Sequence, residues 1–187
     1  LLVYSVFAFT ALGATFSAAS PHLLGYNDAF RHLSTTMSSM VNNHIIIPRE
    51  NVSNNHIGLY VFGQFLLVFF EFSPVILGRW LPALLFLSAG LLFLTLTRIS
   101  GFSLPAQIVG SLFFLFNWGL FRYTIAYRTT ALAISGILIS LVAIHQYRQY
   151  RTLQMFIIFI CGSLLTVVTH FTSSIFFQII LLSFVVT

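Results

Sequence analysis

The sequence predicts an all-α protein, a polytopic bundle of transmembrane helices, and three observations lead there. Only 6% of the 187 residues are charged and 58% are hydrophobic, against roughly 25% charged residues in an average soluble domain. Mean hydropathy is +0.98, which leaves too little polar surface to cover a soluble core. Charge-free stretches recur at 1–20, 80–97, 104–121, 129–144 and 152–187, matching the roughly 17 to 25 residues a helix needs to cross a hydrocarbon core. A β-barrel would alternate in polarity, whereas Leu84 to Leu96 and Phe156 to Val168 are continuously apolar.

In chain order, residues 1–20 form a first span; they lack a basic leader and more apolar segments follow, so a signal peptide fits less well. Segments 57–73 and 80–97 form a helical hairpin, because Phe72-Ser73-Pro74 and Gly78-Arg79 place turn formers and a charge between them. Spans at 104–121 and 129–147 follow. The charge-free tail divides into 152–169 and 171–187 at the polar patch Thr169 to Ser174. This gives about seven spans. The chain starts at Leu1 and stops at Thr187 inside an apolar run, so residues 1–187 are expected to be one transmembrane domain of a longer protein.

The polar stretch 21–57 interrupts this pattern and holds Asp28 and Glu50, two of three acidic residues. Asn27 suits a helix N-cap and Asp28 the positive end of a helix dipole. Phe30, Leu33, Met37, Met40 and Val41 recur at helical spacing. An amphipathic helix on the membrane surface is expected there. All eight basic residues are arginine. Arg98, Arg148 and Arg151 fall where span ends are anchored; Arg31 and Arg49 share their side, and Arg79, Arg122 and Arg128 take the other. By the positive-inside rule, that excess places the polar stretch in the cytoplasm.

Asp28, Arg31 and His32 form D-x-x-R-H, and positions i, i+3 and i+4 share a helix face. A carboxylate there serves as general base or cation ligand, while Arg31 or His32 neutralises phosphate. The bland alternative is a surface helix with an internal ion pair. Asp28, His32, His44 and His56 match no zinc spacing, so no metal centre is expected. Asn51-Val52-Ser53 is a glycosylation sequon. Glu71 and Arg79 suit pairing at the hairpin turn, and Arg122 and Arg128 bound a polar, aromatic connection able to hold an anionic headgroup. His145 is a further ionisable group within an apolar segment, and His170 is isolated in the charge-free tail, where it either contacts a phosphate or hydrogen-bonds a neighbouring helix. The lone Cys161, in an apolar run, is expected to be a small buried side chain.

This layout resembles the GT-C superfamily of polyprenyl-phosphate-dependent membrane glycosyltransferases, which includes oligosaccharyltransferases, protein mannosyltransferases and arabinosyltransferases. The likeness rests on a first span followed by Tyr26 to Leu33 in the place of an acidic D-x-x-x-H helix. Then come Ile46-Ile47-Pro48, the hydrophobic segment Gly58 to Phe65 and the later Thr169-His170-Phe171-Thr172-Ser173. The resemblance implies Asp28 as catalytic base, or as a divalent-cation ligand in metal-dependent branches, with His32 in the same site. Arg31, Arg122, Arg128 and His170 would bind the lipid phosphate. Residues 1–187 depart from the family in having no acidic residue after Glu71, which weakens a metal-dependent oligosaccharyltransferase reading; the soluble C-terminal domain of many members is not within them, as expected of one domain of a longer protein.

The leading expectation is therefore an integral-membrane glycosyltransferase moving a sugar from a polyprenyl-phosphate donor to an acceptor at the outer face. Its expected partners are the lipid-linked donor, membrane lipids and other membrane proteins, and nucleic acid is not among them. The arginine tally stands against an outward-facing polar stretch. A non-catalytic membrane subunit of a larger assembly is the alternative. A transporter using Glu71, His145 and His170 is a third reading, unsupported by any inverted repeat.

Overall fold

The structure, a computed structural model, describes residues 34–38, 57–116 and 129–186. Among these residues all regular structure is helical. Helix α1 (34–38) falls within the stretch expected to be helical, with Thr36 buried and Met37 exposed. There follow α2 (Ile57–Phe69), α3 (Pro74–Ile99), α4 (Leu104–Phe116), α5 (Thr129–Tyr150), α6 (Leu153–Thr169) and α7 (Phe171–Val186). Each overlaps one expected segment, and 1–20 lies outside the described residues. Within α3, the 20 residues Trp80–Ile99 form the one helix among the described residues that is long and apolar enough to cross a membrane, by length and composition. Leu59–Phe69, Leu104–Phe114, Leu153–Thr169 and Ser173–Ser183 are shorter apolar helices.

The turns show how the chain reverses. Between α2 and α3 it turns within 70–73, where Glu71 takes a left-handed φ of 50°. Gly78 and Arg79, expected in that turn, lie inside α3 instead. Pro74 starts the helix earlier, since its fixed φ suits the first helical position and its missing N–H is not needed there; Leu77 N–H already donates to Ser73 O at 2.9 Å. Inside α3, Pro82 removes one rung of the ladder. The end of α3 is a Schellman motif: Phe102 N–H donates to Thr97 O at 3.2 Å and Gly101 N–H to Arg98 O at 3.1 Å. Gly101 supplies the required positive φ of 78°. Between α5 and α6 the left-handed residue is Arg151, φ 53°.

The closest helix pair is α5 with α6. Thr166 Oγ1 reaches toward Ala133 O at 3.5 Å and Ser140 Oγ approaches Ser163 Oγ at 3.3 Å, so residue numbers rise on one helix as they fall on the other. The pair is antiparallel. Its seam is made of Ala133, Gly136 and Ser140 on one side, and Gly162, Ser163 and Thr166 on the other. The backbones approach so closely that a Cβ on Gly136 would lie 2.9 Å from Gly162 O, and a Cβ on Gly162 2.9 Å from Gly136 O. Such small-residue seams let helices pack where the surroundings are as apolar as leucine. The larger side chains collect elsewhere: Leu59, Leu67, Leu77, Leu81 and Leu132 form a buried cluster across α2, α3 and α5. Leu81 and Leu132, near the starts of α3 and α5, share this cluster, while Leu92 and Val142 flank one groove further along. Those two helices therefore run parallel.

The outer surface is apolar to an unusual degree. Phe69 is 73% exposed, Phe113 72% and Leu153 70%. Along α6, Ile157, Leu164, Val167 and Val168 face out while Gly162, Thr166 and Thr169 are buried. Cys161 follows the outward set and is exposed. This corrects the expected burial: Gly162 takes the seam, and its neighbour, about 100° around the helix, turns away.

Candidate functional site

Of the six residues expected to carry chemistry, Asp28, Arg31, His32, Arg122 and Arg128 lie outside the described residues, as do His44 and His56. His170 is described, and the local structure gives it a definite chemical state. It is the single non-helical residue between α6 and α7, with φ −156° and ψ 109°. Its N–H closes α6 on Thr166 O at 3.1 Å, and its carbonyl accepts from Ser174 N–H at 3.1 Å to open α7.

Its ring also caps α7. Ser173 N–H donates to Nδ1 at 3.2 Å, the geometry in which an N-cap side chain satisfies the third amide of a helix. A nitrogen that accepts from an amide carries a lone pair, so the neutral ring holds its proton on Nε2. The Ser173 hydroxyl, 2.9 Å from the same Nδ1, is then a donor as well. Burial acts in the same direction, lowering the imidazole pKa below its ordinary 6.5. His170 is therefore a neutral donor through Nε2. It can contact an anionic oxygen but does not offer Nδ1 as a base.

The hydroxyls around it are bonded locally. Thr166 Oγ1 donates to Gly162 O at 3.0 Å, Thr169 Oγ1 to Leu165 O at 2.6 Å, and Ser163 Oγ to Phe159 O at 2.8 Å. The register that sets Ala133 against Thr166 brings the start of α5, Thr129, level with His170 one turn further on. Thr129 directly follows Arg128 in sequence.

Other candidates separate. Glu71 is exposed in the α2–α3 turn, and His145 Nε2 lies 3.3 Å from Gln149 Nε2 on its own helix. Arg98 and Arg148 occupy the last turns of α3 and α5, as anchoring arginines do. Among the described residues, no three His, Cys, Asp or Glu side chains are placed to hold a metal ion. Sequence reasoning missed the α5–α6 seam, although Gly136-x-x-x-Ser140 and Gly162-x-x-x-Thr166 are the small-x-x-x-small spacing that marks close helix pairs. It also missed Ser173 as the partner that fixes the His170 ring.

The described part thus defines an all-helical protein with one helix suited to crossing a membrane. No family description, curated protein or solved structure matches the chain.

Proposed function

We propose that the chain is a multi-pass membrane protein that transfers a sugar from a polyprenyl-phosphate donor to an acceptor hydroxyl. Membrane residence is supported by the polarity of the helix faces: α6 turns Ile157, Leu164 and Val167 outward and keeps Thr166 and Thr169 inside. In water that arrangement would be unfavourable by roughly 25 cal/mol for each Å² of apolar surface left exposed, whereas lipid removes the penalty. Among the shorter apolar helices, α6, at 17 residues, reaches the lower limit of roughly 17 residues for a span, while α2 and α4, at 13 residues each, fall short of it.

The single observation that supports phosphate chemistry is the His170 ring, held with its proton on Nε2 by the α7 cap. A neutral donor at a break between apolar helices suits a departing phosphate oxygen, which it stabilises without adding a second buried charge. The start of α5, Thr129, lies level with it. In this reading Asp28 deprotonates the acceptor, Arg31 and His32 support it, and Arg122 and Arg128 join His170 around the lipid phosphate.

The test is sugar transfer from a short-chain polyprenyl-phosphate donor by the purified full chain. Asp28→Asn should lower the rate by about 100-fold or more, the usual contribution of a general base. A wild-type rate from correctly folded Asp28→Asn protein overturns the assignment. One observation favours a second reading, a non-catalytic membrane subunit: the hydroxyls of the α5–α6 seam are spent on their own backbones, as in a purely structural helix pair. Stoichiometric copurification with partners, together with tolerance of Asp28→Asn, would decide for it.

A further inference from the structure

On α5, Ile139, Val142, Ala143 and Gln146 recur at the i, i+3, i+4, i+7 spacing of one helix face. Together with Leu92 of α3 and with Met155 and Ile158 of α6, that face lines an open groove of about 430 Å³. The size falls within the roughly 300 to 1,000 Å³ of small-molecule sites. Its walls are aliphatic apart from Gln146, the one polar residue among those that line it.

The groove has a direction. Gln146 and Met155 each stand about one helical turn from the link between α5 and α6, whereas Ile139 lies about two turns deeper than Gln146. The link exposes Tyr150 and Arg151, and tyrosine and basic side chains together mark the level of lipid headgroups. The polar end of the groove therefore lies just below that level, and the apolar part runs inward. Next to Gln146, the Tyr147 ring packs 5.7 Å from that of Phe156, the neighbour of Met155, and the Arg151 guanidinium lies 5.9 Å from the Tyr147 ring centre. Val142, Tyr147 and Arg151 match the Leu/Val, Tyr, Lys/Arg spacing associated with sterol contact. That pattern is weak in a bare sequence; here its first residue lines a groove and its tyrosine adjoins the polar wall.

We propose that this groove is a binding site for a sterol-class lipid, its rigid ring system lying along Leu92, Val142 and Ile158 and its single hydroxyl meeting Gln146. A carboxamide donates through Nε2 and accepts at Oε1, and a hydroxyl does both through one oxygen, so one side chain matches the whole polar content of the ligand. A glycerophospholipid would bring a phosphate and several ester oxygens to a lining with one neutral polar group. A linear lipid alcohol would lose chain freedom on binding, a cost that a fused ring system does not incur. The site rests on the membrane residence proposed above and is independent of sugar transfer.

The test uses the full chain in phosphatidylcholine nanodiscs carrying photoactivatable cholesterol. Labelling should map to residues 139–158 and be displaced by excess cholesterol. Gln146→Leu should lower it roughly fivefold, the usual contribution of one hydrogen bond, and cholesteryl methyl ether, which cannot donate, should compete less well than cholesterol by a similar factor. Ile158→Trp fills the groove at an exposed wall residue, so it should lower labelling without disturbing the bundle, and it carries the test if Gln146→Leu does not fold. Labelling that survives Ile158→Trp, labelling confined to other parts of the chain, or equal competition by oleyl alcohol overturns the site. Unchanged labelling of folded Gln146→Leu overturns the hydroxyl contact. Failure of the wild-type chain to insert into nanodiscs would overturn the membrane reading and the site with it, whereas insertion without saturable labelling overturns the site alone.

Discussion

Gly136→Ala is the sharpest test of the α5–α6 seam. An added Cβ would lie 2.6 Å from Thr166 Oγ1, 2.9 Å from Gly162 O and 3.1 Å from Thr166 N. The first contact could relax by rotating a side chain, but the other two are backbone, so the helices must separate by a few tenths of an ångström. Separation loosens the Thr166 contact to Ala133 O and the Ser140 approach to Ser163. Overpacking of this kind costs roughly 1 to 3 kcal/mol, and the better helix propensity of alanine returns about 1 kcal/mol. A net loss of about 1 kcal/mol is expected, roughly a fivefold fall in the folded-to-unfolded ratio. Gly110→Ala is the internal control: its nearest neighbour would be Phe93 Cε1 at an ordinary 3.7 Å, so the propensity term acts alone and the variant should be more stable than wild type. The assay is unfolding of detergent-solubilised protein, followed by circular dichroism across a denaturing-detergent titration. Because one separation relieves both contacts, Gly136→Ala with Gly162→Ala should cost less than the sum of the single changes. Stability of Gly136→Ala at or above wild type, or the same sign for both alanine variants, would refute the close seam.

Three further outcomes follow from local geometry. Gly101→Ala meets no atom within 4 Å, so its cost is purely that of a left-handed backbone, about 1 kcal/mol, and Gly101→Asn should lose less by the same unfolding titration. For His170 the folded pKa lies below 6.5, so the unfolded chain binds the proton more readily; stability is fully present above pH 6.5 and declines as pH falls through the folded value. Melting curves from pH 8 to pH 5 should show that decline, and His170→Asn, which keeps a short polar cap but does not titrate there, should flatten it. Cys161, exposed near the middle of α6, should resist a charged thiol reagent in sealed vesicles and react once the protein is unfolded; prompt labelling in intact vesicles would count against lipid around α6.

Much of the helix layout is legible in the chain, for a simple reason. Continuous apolar runs broken by Ser73-Pro74, by Ser100-Gly101 and by Arg151 admit few alternatives to helices joined by tight turns, and the break at His170 falls within the polar patch Thr169 to Ser174. What periodicity cannot supply is the inward face, because a helix that is apolar all round has no polar side to set its phase. Cys161 was misassigned on that account. The information lay in residue size, in Gly136 with Ser140 and Gly162 with Thr166 at a spacing of four. The turn before α3 was misplaced for a different reason: Gly78 and Arg79 look like turn residues by type, yet Pro74 had already fixed the start of the helix. The Asp28, Arg31 and His32 constellation lies outside the described residues, and Arg122 and Arg128 with it.

The two ends of the bundle divide the chemistry between them. At one end, a neutral His170 caps α7, and its tautomer is set by a backbone amide rather than by a charged neighbour. Such a group can meet an anion without itself being an ion. At the other end, Arg98 and Arg148 lie on the exposed last turns of α3 and α5, and Arg151 in the exposed turn that follows. Between them the α5–α6 seam is packed through Gly136 and Gly162, with Ser140 and Thr166 bonded to carbonyls of their own helix. Loosening it by Gly136→Ala shifts Thr166, whose carbonyl closes α6 on the His170 amide, and so disturbs the cap that holds the Nε2 proton. The same variant leaves Arg148 and Arg151 on exposed backbone beyond the tight contact. It should therefore lower sugar transfer as well as stability, and an unchanged transfer rate from the folded variant would mean that the seam and the cap are independent.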